Sequence, residues 1–130
     1  MIPAHWITSP FRWLGKTRAM LRELRTEEQS ILGTLELIAD ELRHNAHVLS
    51  GIEASSSLGL WARRREEIRL DRWQEYGAQL SVFRKRHPDL WQELRNAYSA
   101  LQQSVKEFDP PTVSSEALDE LATRLDGVNL

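Results

Sequence analysis

The chain has 130 residues, 41% hydrophobic and 28% charged, which is the composition of a globular domain rather than of a disordered tail. The net charge of -2 excludes a uniformly basic nucleic-acid binder, although it leaves a local basic face open. The absence of cysteine excludes a disulfide scaffold, a thiol nucleophile and a cysteine-ligated zinc site.

The first predicted element is one long helix from about Pro10 to about Ser50. Ser9-Pro10 has the form of an N-cap followed by proline at the first helical position. Side chains then recur at spacings of three and four residues, and eight of the eleven seam positions are aliphatic, which is a heptad pattern. Residues 26–29 match a capping box, so two helices are the alternative; we favour one because the seam stays in phase. The seam is Leu14, Thr17, Leu21, Leu24, Glu28, Ile31, Leu35, Ile38, Leu42, Asn45 and Leu49.

Three further elements are predicted after a flexible loop at 51–59, which holds two glycines and three serines. A second helix runs from about Leu60 to Arg86, and a third begins at Pro88. A proline linker at 109–113 leads to a short fourth helix, with Ser114 as its N-cap and Gly127 at its end. The seam of the second helix is Trp73, Tyr76, Leu80 and Phe83; that of the third is Trp91, Leu94, Tyr98, Leu101, Val105 and Phe108.

These elements predict an all-α, up-and-down bundle of three to four helices with a long first helix, in a single domain over 1–130. Charge alternates along the chain, with net +4 over 1–25, -5 over 26–60, +4 over 61–86 and -5 over 87–130. Such blocks suit helices that lie side by side. The first helix is longer than the others, so its apolar positions at Leu14, Leu21 and Leu24 need a partner. That partner is a second copy, another protein, a lipid surface or the C-terminal helix.

A resemblance rests on three short strings: Glu41-Leu42-Arg43-His44-Asn45, then Trp73 to Tyr76 with Leu80, then Leu94 to Tyr98. They resemble uncharacterised bacterial helical proteins in which an E-L-x-x-N helix precedes Trp- and Tyr-containing helices. The similarity spans roughly residues 37–101. It implies a helical bundle and no catalytic activity. Many of those proteins have a membrane-spanning helix ahead of the E-L-x-x-N helix, and this sequence has no run of about 18 apolar residues that would form one.

Asn45 is the polar residue at a central seam position. A buried amide needs hydrogen-bond partners, which Trp73, Tyr76 and Tyr98 can supply. We interpret the four as a buried polar network that fixes helix register, because this is the best-attested role of a single polar seam residue. A ligand-binding amide is the alternative.

Glu41 and His44 have the Glu-x-x-His spacing of di-iron bundles. Such a site needs a second Glu-x-x-His and two further glutamates, and the sequence has no second copy of the motif. We therefore expect no bound metal or other cofactor, and we interpret both residues as part of a solvated polar face. A metal-binding bundle stays as an alternative.

Two segments combine tryptophan with basic residues. Trp61 precedes Arg63-Arg64-Arg65, a pattern that stacks on bases or binds phosphates, although Glu66 and Glu67 favour an ordinary helix start. The segment 1–25 is a basic, Trp-containing arm or helix extension, typical of an interfacial membrane helix and equally of an arm packed on an acidic protein surface. The candidate interaction residues are Trp6, Trp13, Leu14, Leu21, Leu24, Arg12, Lys16, Arg18 and Arg22.

The sequence holds no catalytic constellation. It lacks a Gly-x-Ser-x-Gly elbow and a glycine-rich phosphate loop, and its adjacent glutamate pairs point to different helix faces. We expect a non-enzymatic helical interaction protein that forms a homo-oligomer through its first helix and has no small-molecule substrate. The alternative is a peripheral protein that binds an anionic membrane surface through 1–25. Residues 1–10 lack the pattern of a secretory signal, so we expect a cytoplasmic location, with the inner membrane face as its variant.

Overall fold

In the computed structural model, the backbone is described for residues 4–55, 58–107 and 111–129, and the side chains for 29–55, 59–107 and 111–129. Every regular element within these ranges is helical, as the sequence predicts. The chain divides into two compact units, residues 1–30 and residues 31–130. The side chains of the interaction residues proposed between Trp6 and Leu24 lie outside the described residues.

The first helix, α1, spans Ala4–Glu53. It is one helix, so the alternative of a break at residues 26–29 is wrong. It begins six residues before Pro10, and the predicted N-cap Ser9 therefore lies inside it. Proline is best tolerated in the first turn of a helix; as the seventh residue of α1, Pro10 lacks the N–H that would bond to the carbonyl four residues earlier, and a proline ring at this position crowds that carbonyl.

The seam of α1 is confirmed where side chains are described. Its six positions from residue 31 onward are all buried, and the neighbouring Thr34, Ala39 and Ala46 widen the buried stripe. A stripe of this width is typical of a helix that packs against a globular core rather than one partner helix. The six positions are Ile31, Leu35, Ile38, Leu42, Asn45 and Leu49.

The prediction of one helix over Leu60–Arg86 is wrong. The region contains three short helices: α2 (Leu58–Arg64), α3 (Asp71–Tyr76) and α4 (Ser81–Arg86). Single 3-10 turns at Arg65–Glu67 and Gly77–Gln79 interrupt it, and Ile68 is extended between α2 and α3. The predicted loop at 51–59 is also shorter than expected, because α1 continues to Glu53 and α2 already begins at Leu58.

The last two helices follow the sequence prediction. Helix α5 spans Pro88–Glu107 and helix α6 spans Ser115–Asp126. The Ser114 hydroxyl accepts a hydrogen bond from the Ala117 backbone N–H at 3.1 Å, so Ser114 is the N-cap of α6 as predicted. The residues of the predicted linker that are described, 111–113, are not helical.

The core of the unit 31–130 is formed by α1, α5 and α6 together with single large side chains from the broken region. Trp61, Leu80 and Phe83 are at most 1% exposed, and Leu94, Leu101 and Leu118 are fully buried. Among the described residues, no helix has both the length and the apolar character needed to cross a bilayer.

Candidate functional site

The most unusual side chain of the unit 31–130 is Glu41, a carboxylate only 4% exposed. Its Oε1 atom accepts a hydrogen bond from the Tyr98 hydroxyl at 2.7 Å and one from the Trp73 backbone N–H at 3.2 Å. Its Oε2 atom accepts from the Arg72 backbone N–H at 2.8 Å. One α1 carboxylate thereby binds α5 through a phenol and α3 through its backbone.

The two backbone donors belong to the first turn of α3. N–H groups in a first turn have no partner within their own helix. The residue at the N-cap position, Leu70, makes no side-chain capping bond. Glu41 therefore supplies the cap from another helix, and its negative charge suits the positive end of the α3 dipole.

Asn45 lies one turn further along α1 and is fully buried. Its Nδ2 atom donates to the Arg69 carbonyl oxygen and its Oδ1 atom accepts from the Arg69 backbone N–H, both at 2.8 Å. The side-chain amide thus pairs with the peptide groups of Arg69 as a neighbouring strand would. This pairing satisfies the peptide groups of Arg69 in the non-helical segment between α2 and α3, where no helical partner exists.

The prediction that Trp73, Tyr76 and Tyr98 supply the hydrogen-bond partners of Asn45 is therefore wrong, although two of these residues lie nearby in the structure. The Tyr98 hydroxyl binds Glu41 instead, and the Trp73 ring stacks on the Tyr98 ring at 4.8 Å between centroids and 6° between planes. Trp73 also contacts Trp91, with centroids 5.2 Å apart. Tyr76 is partly exposed. An amide matches the donor and acceptor pair of a backbone better than a single phenol or indole does.

His44 is the third α1 side chain that contacts the region between α2 and α3. Its Nε2 atom lies 2.7 Å from the Glu67 carbonyl oxygen, and since a carbonyl only accepts, Nε2 carries the proton. Glu41, His44 and Asn45 thus occupy positions i, i+3 and i+4 of α1 and bind successive points between Glu67 and Trp73. We call these three side chains the α1 clasp. The interpretation of Glu41 as part of a solvated face is wrong, because its carboxylate is buried by this contact.

The clasp does not resemble a metal centre. Within the part of the chain that the structure describes, no group of three or more His, Cys, Asp or Glu side chains is placed to hold a metal ion. Glu41 and His44 both direct their polar atoms to protein donors and acceptors. The arrangement can therefore fix a chain segment, and this is the chemistry that its geometry supports.

Trp61 and two of the three arginines that follow it make contacts within the chain. Trp61 is 1% exposed, so its ring is not available for stacking on a base. Arg64 forms an ion pair with Glu67 at 2.6 Å, and Arg65 donates to the Val105 carbonyl oxygen at 2.9 Å. Both arginines hold the turn between α2 and α3 in place.

The sequence did not indicate that the clasp binds Glu67, Arg69, Arg72 and Trp73, because these residues contribute backbone groups rather than side chains. Two signals were available in the sequence. Glu41, His44 and Asn45 share one helix face beside the apolar seam. The segment before Asp71 also lacks a Ser, Thr, Asn or Asp at the N-cap position, so α3 needs a cap from elsewhere.

Burial raises the pKa of Glu41 above its ordinary value of 4.5, against the opposing effects of its hydrogen bonds from Tyr98, Arg72 and Trp73. The nearby Asp71 carboxylate also raises it. Burial, followed by the Glu41 charge, raises the pKa of the Tyr98 hydroxyl as well. Tyr98 therefore remains a neutral donor at physiological pH.

The raised pKa predicts a pH dependence of stability. The folded state holds the Glu41 proton more tightly than the unfolded state, so its contribution is fully present below pH 4.5 and is lost as pH rises through the folded-state pKa. We expect the unfolding free energy of the natural chain to fall relative to that of the Glu41→Gln variant as pH rises above 4.5. Chemical denaturation of both chains at each pH measures this difference. If the unfolding free energy of the natural chain stays constant or rises relative to that of the Glu41→Gln variant as pH rises, burial does not dominate at Glu41.

No protein-family model, curated protein or solved structure matches this chain.

Proposed function

We propose that this chain is a non-enzymatic helical assembly protein that self-associates through the N-terminal part of α1. The observation that carries the proposal is the heptad seam. Its positions from Ile31 to Leu49 are buried in the core of their unit. The same register continues without a shift to Leu14, Leu21 and Leu24 in the sequence.

A single helix cannot bury its own apolar stripe, so the seam between Leu14 and Leu24 needs a second element. The C-terminal helix was one candidate. Its apolar residues Leu118, Leu121, Ala122 and Leu125 are buried members of the core of the unit 31–130. This use of α6 supports a partner from outside the chain, and a second copy is the simplest one.

We also propose that four segments of the unit 31–130 form an up-and-down bundle. The segments are the part of α1 within this unit, the region from α2 to α4, α5 and α6. Three contacts in succession support an antiparallel course of the α2–α3 region along α1, and two support an antiparallel course of α6. Glu93 pairs with Arg124, which supports an antiparallel α5 and α6. The α1 contacts are Gly51 with Arg64, Asn45 with Arg69 and Glu41 with Arg72, then Glu53 with Ser115 and Arg43 with Asp126.

Charged substitutions in the apolar seam of α1 test the proposed self-association. In the variant Leu21→Asp/Leu24→Asp, two charges enter the apolar stripe, and we expect the self-associated species to become a monomer. The matched control is Ala19→Asp/Thr26→Asp, which adds the same charge at heptad positions on the opposite side of the same helix. Light scattering coupled to size exclusion measures the molar mass of each chain.

Equal loss of mass in both variants would indicate that net charge, not the seam, controls association. Retention of the full mass by the seam variant would contradict the proposal.

The alternative, an anionic membrane surface, is supported by Trp6 and Trp13 among five basic residues. Sedimentation of the chain with anionic liposomes at low salt, with neutral liposomes as the control, tests that alternative separately.

A further inference from the structure

Helices α5 and α6 form a groove of about 440 Å³ on the surface of the unit 31–130. Its floor consists of small or aliphatic side chains, of which Ala117 is exposed and Ala100 and Val113 are partly exposed. Small floor residues allow the backbone of another helix to approach closely. The floor is Ala97, Ala100, Val113, Ala117 and Leu121.

Acidic side chains line the rim of this groove. Glu93 and Glu120 border it, and Glu107 borders a contiguous cavity that shares Ala100 and Thr112 with it. The single basic residue of the lining, Arg124, forms an ion pair with Glu93. From Glu93 to Glu107 the rim follows α5 for about 21 Å at a rise of about 1.5 Å per residue, which is the length of about four helical turns.

The sequence of residues 1–25 has the complementary character. It carries five basic side chains and one acidic one, and Arg18 and Arg25 occupy the heptad positions that flank the Leu21 and Leu24 seam. Resting on the self-association proposed above, we propose that the α5–α6 groove is the docking surface for the basic N-terminal segment of a second copy of this chain. Apolar seam residues then contact the floor, and arginines pair with the acidic rim. In a symmetric dimer each copy gives its segment and receives the other.

A charge swap tests this placement. The variant Glu107→Lys/Glu120→Lys should weaken self-association by at least about tenfold at low salt, because the rim then repels the segment. The control Glu66→Lys/Glu75→Lys changes the net charge equally at exposed positions outside the groove. The separate variant Arg18→Glu/Arg25→Glu should also associate weakly. A chain with both the groove and the arginine changes should recover most of the affinity.

Sedimentation velocity over a concentration series gives the dimer dissociation constant for all five chains, and circular dichroism checks that each retains its helix content. Weakening in both charge-reversed chains with recovery in the combined chain supports the docking. If the natural chain is a dimer and the groove variant dimerises as tightly, the groove is wrong while the proposed self-association stands. Weakening without recovery also overturns the pairing. A natural chain that is monomeric overturns both proposals.

Discussion

Replacing Glu41 with alanine is expected to lower the unfolding free energy by about 2–4 kcal/mol. The change removes the acceptor of three donors at once: the Tyr98 hydroxyl and the backbone N–H groups of Arg72 and Trp73. A buried donor left without a partner costs about 1–3 kcal/mol. Removing the carboxylate also removes the free-energy cost of burying it, and this offsets part of the loss. The expected value therefore lies below the sum of the costs for three unpaired donors.

Two further variants separate this effect from a general effect of losing a glutamate. Glu36→Ala removes an exposed carboxylate from the same helix and should change stability by less than about 0.5 kcal/mol. Glu41→Gln keeps one acceptor oxygen but turns an amide N–H₂ toward a donor, so its loss should be intermediate. Urea denaturation followed by circular dichroism, at one fixed protein concentration, compares the chains. A Glu41→Ala chain as stable as Glu36→Ala would contradict the capping role of Glu41.

Replacing Leu42 with alanine is expected to lower the unfolding free energy by about 2–5 kcal/mol. Leu42 is fully buried and occupies the seam of α1 next to Glu41. The substitution removes apolar surface from the core and leaves a cavity, because the fixed helices around it relax only partly. The same denaturation experiment measures the loss.

The chain contains a close control for this substitution. Leu37 lies on the same helix but is 37% exposed, so Leu37→Ala removes the same atoms from a position that keeps contact with water. Its loss should be below about 1 kcal/mol. Comparable losses at the two positions would mean that the seam of α1 is not what the core depends on.

The long helices were predictable from the sequence because each carries its own local signals. The seam of α1 from Ile31 to Leu49 and the start of α5 at Pro88 follow from spacing and proline chemistry. The Ser114 cap of α6 follows from its hydroxyl. Such signals depend on residues within a few positions of one another, so one sequence is sufficient to interpret them.

The broken region between Leu58 and Arg86 was not predictable in the same way. Its side chains from Trp73 to Phe83 have helical spacing, and yet a 3-10 turn at Gly77–Gln79 separates α3 from α4 within that stretch. Asn45 hydrogen-bonds to the backbone of Arg69, 24 residues away, in the non-helical segment before α3. Tertiary hydrogen bonds of this kind override local helix preference, and no local spacing encodes them.

The sequence predicted which side chains form the candidate site, but it did not predict their hydrogen-bond partners. Glu41, His44, Asn45, Trp73 and Tyr98 were all singled out from the sequence, and the structure brings all five to one place. The sequence did not indicate that Asn45 pairs with a backbone instead of with an aromatic side chain. Backbone partners have no signature in the sequence, since every residue carries the same N–H and C=O groups.

Self-association of this chain is tested by the molar mass that the unaltered chain, residues 1–130, has in solution. Sedimentation equilibrium at several concentrations and low salt gives that mass without reference to shape. Self-association predicts a mass of at least twice the 15.1 kDa of one chain, with dissociation on dilution. A mass of 15.1 kDa at every concentration would contradict it.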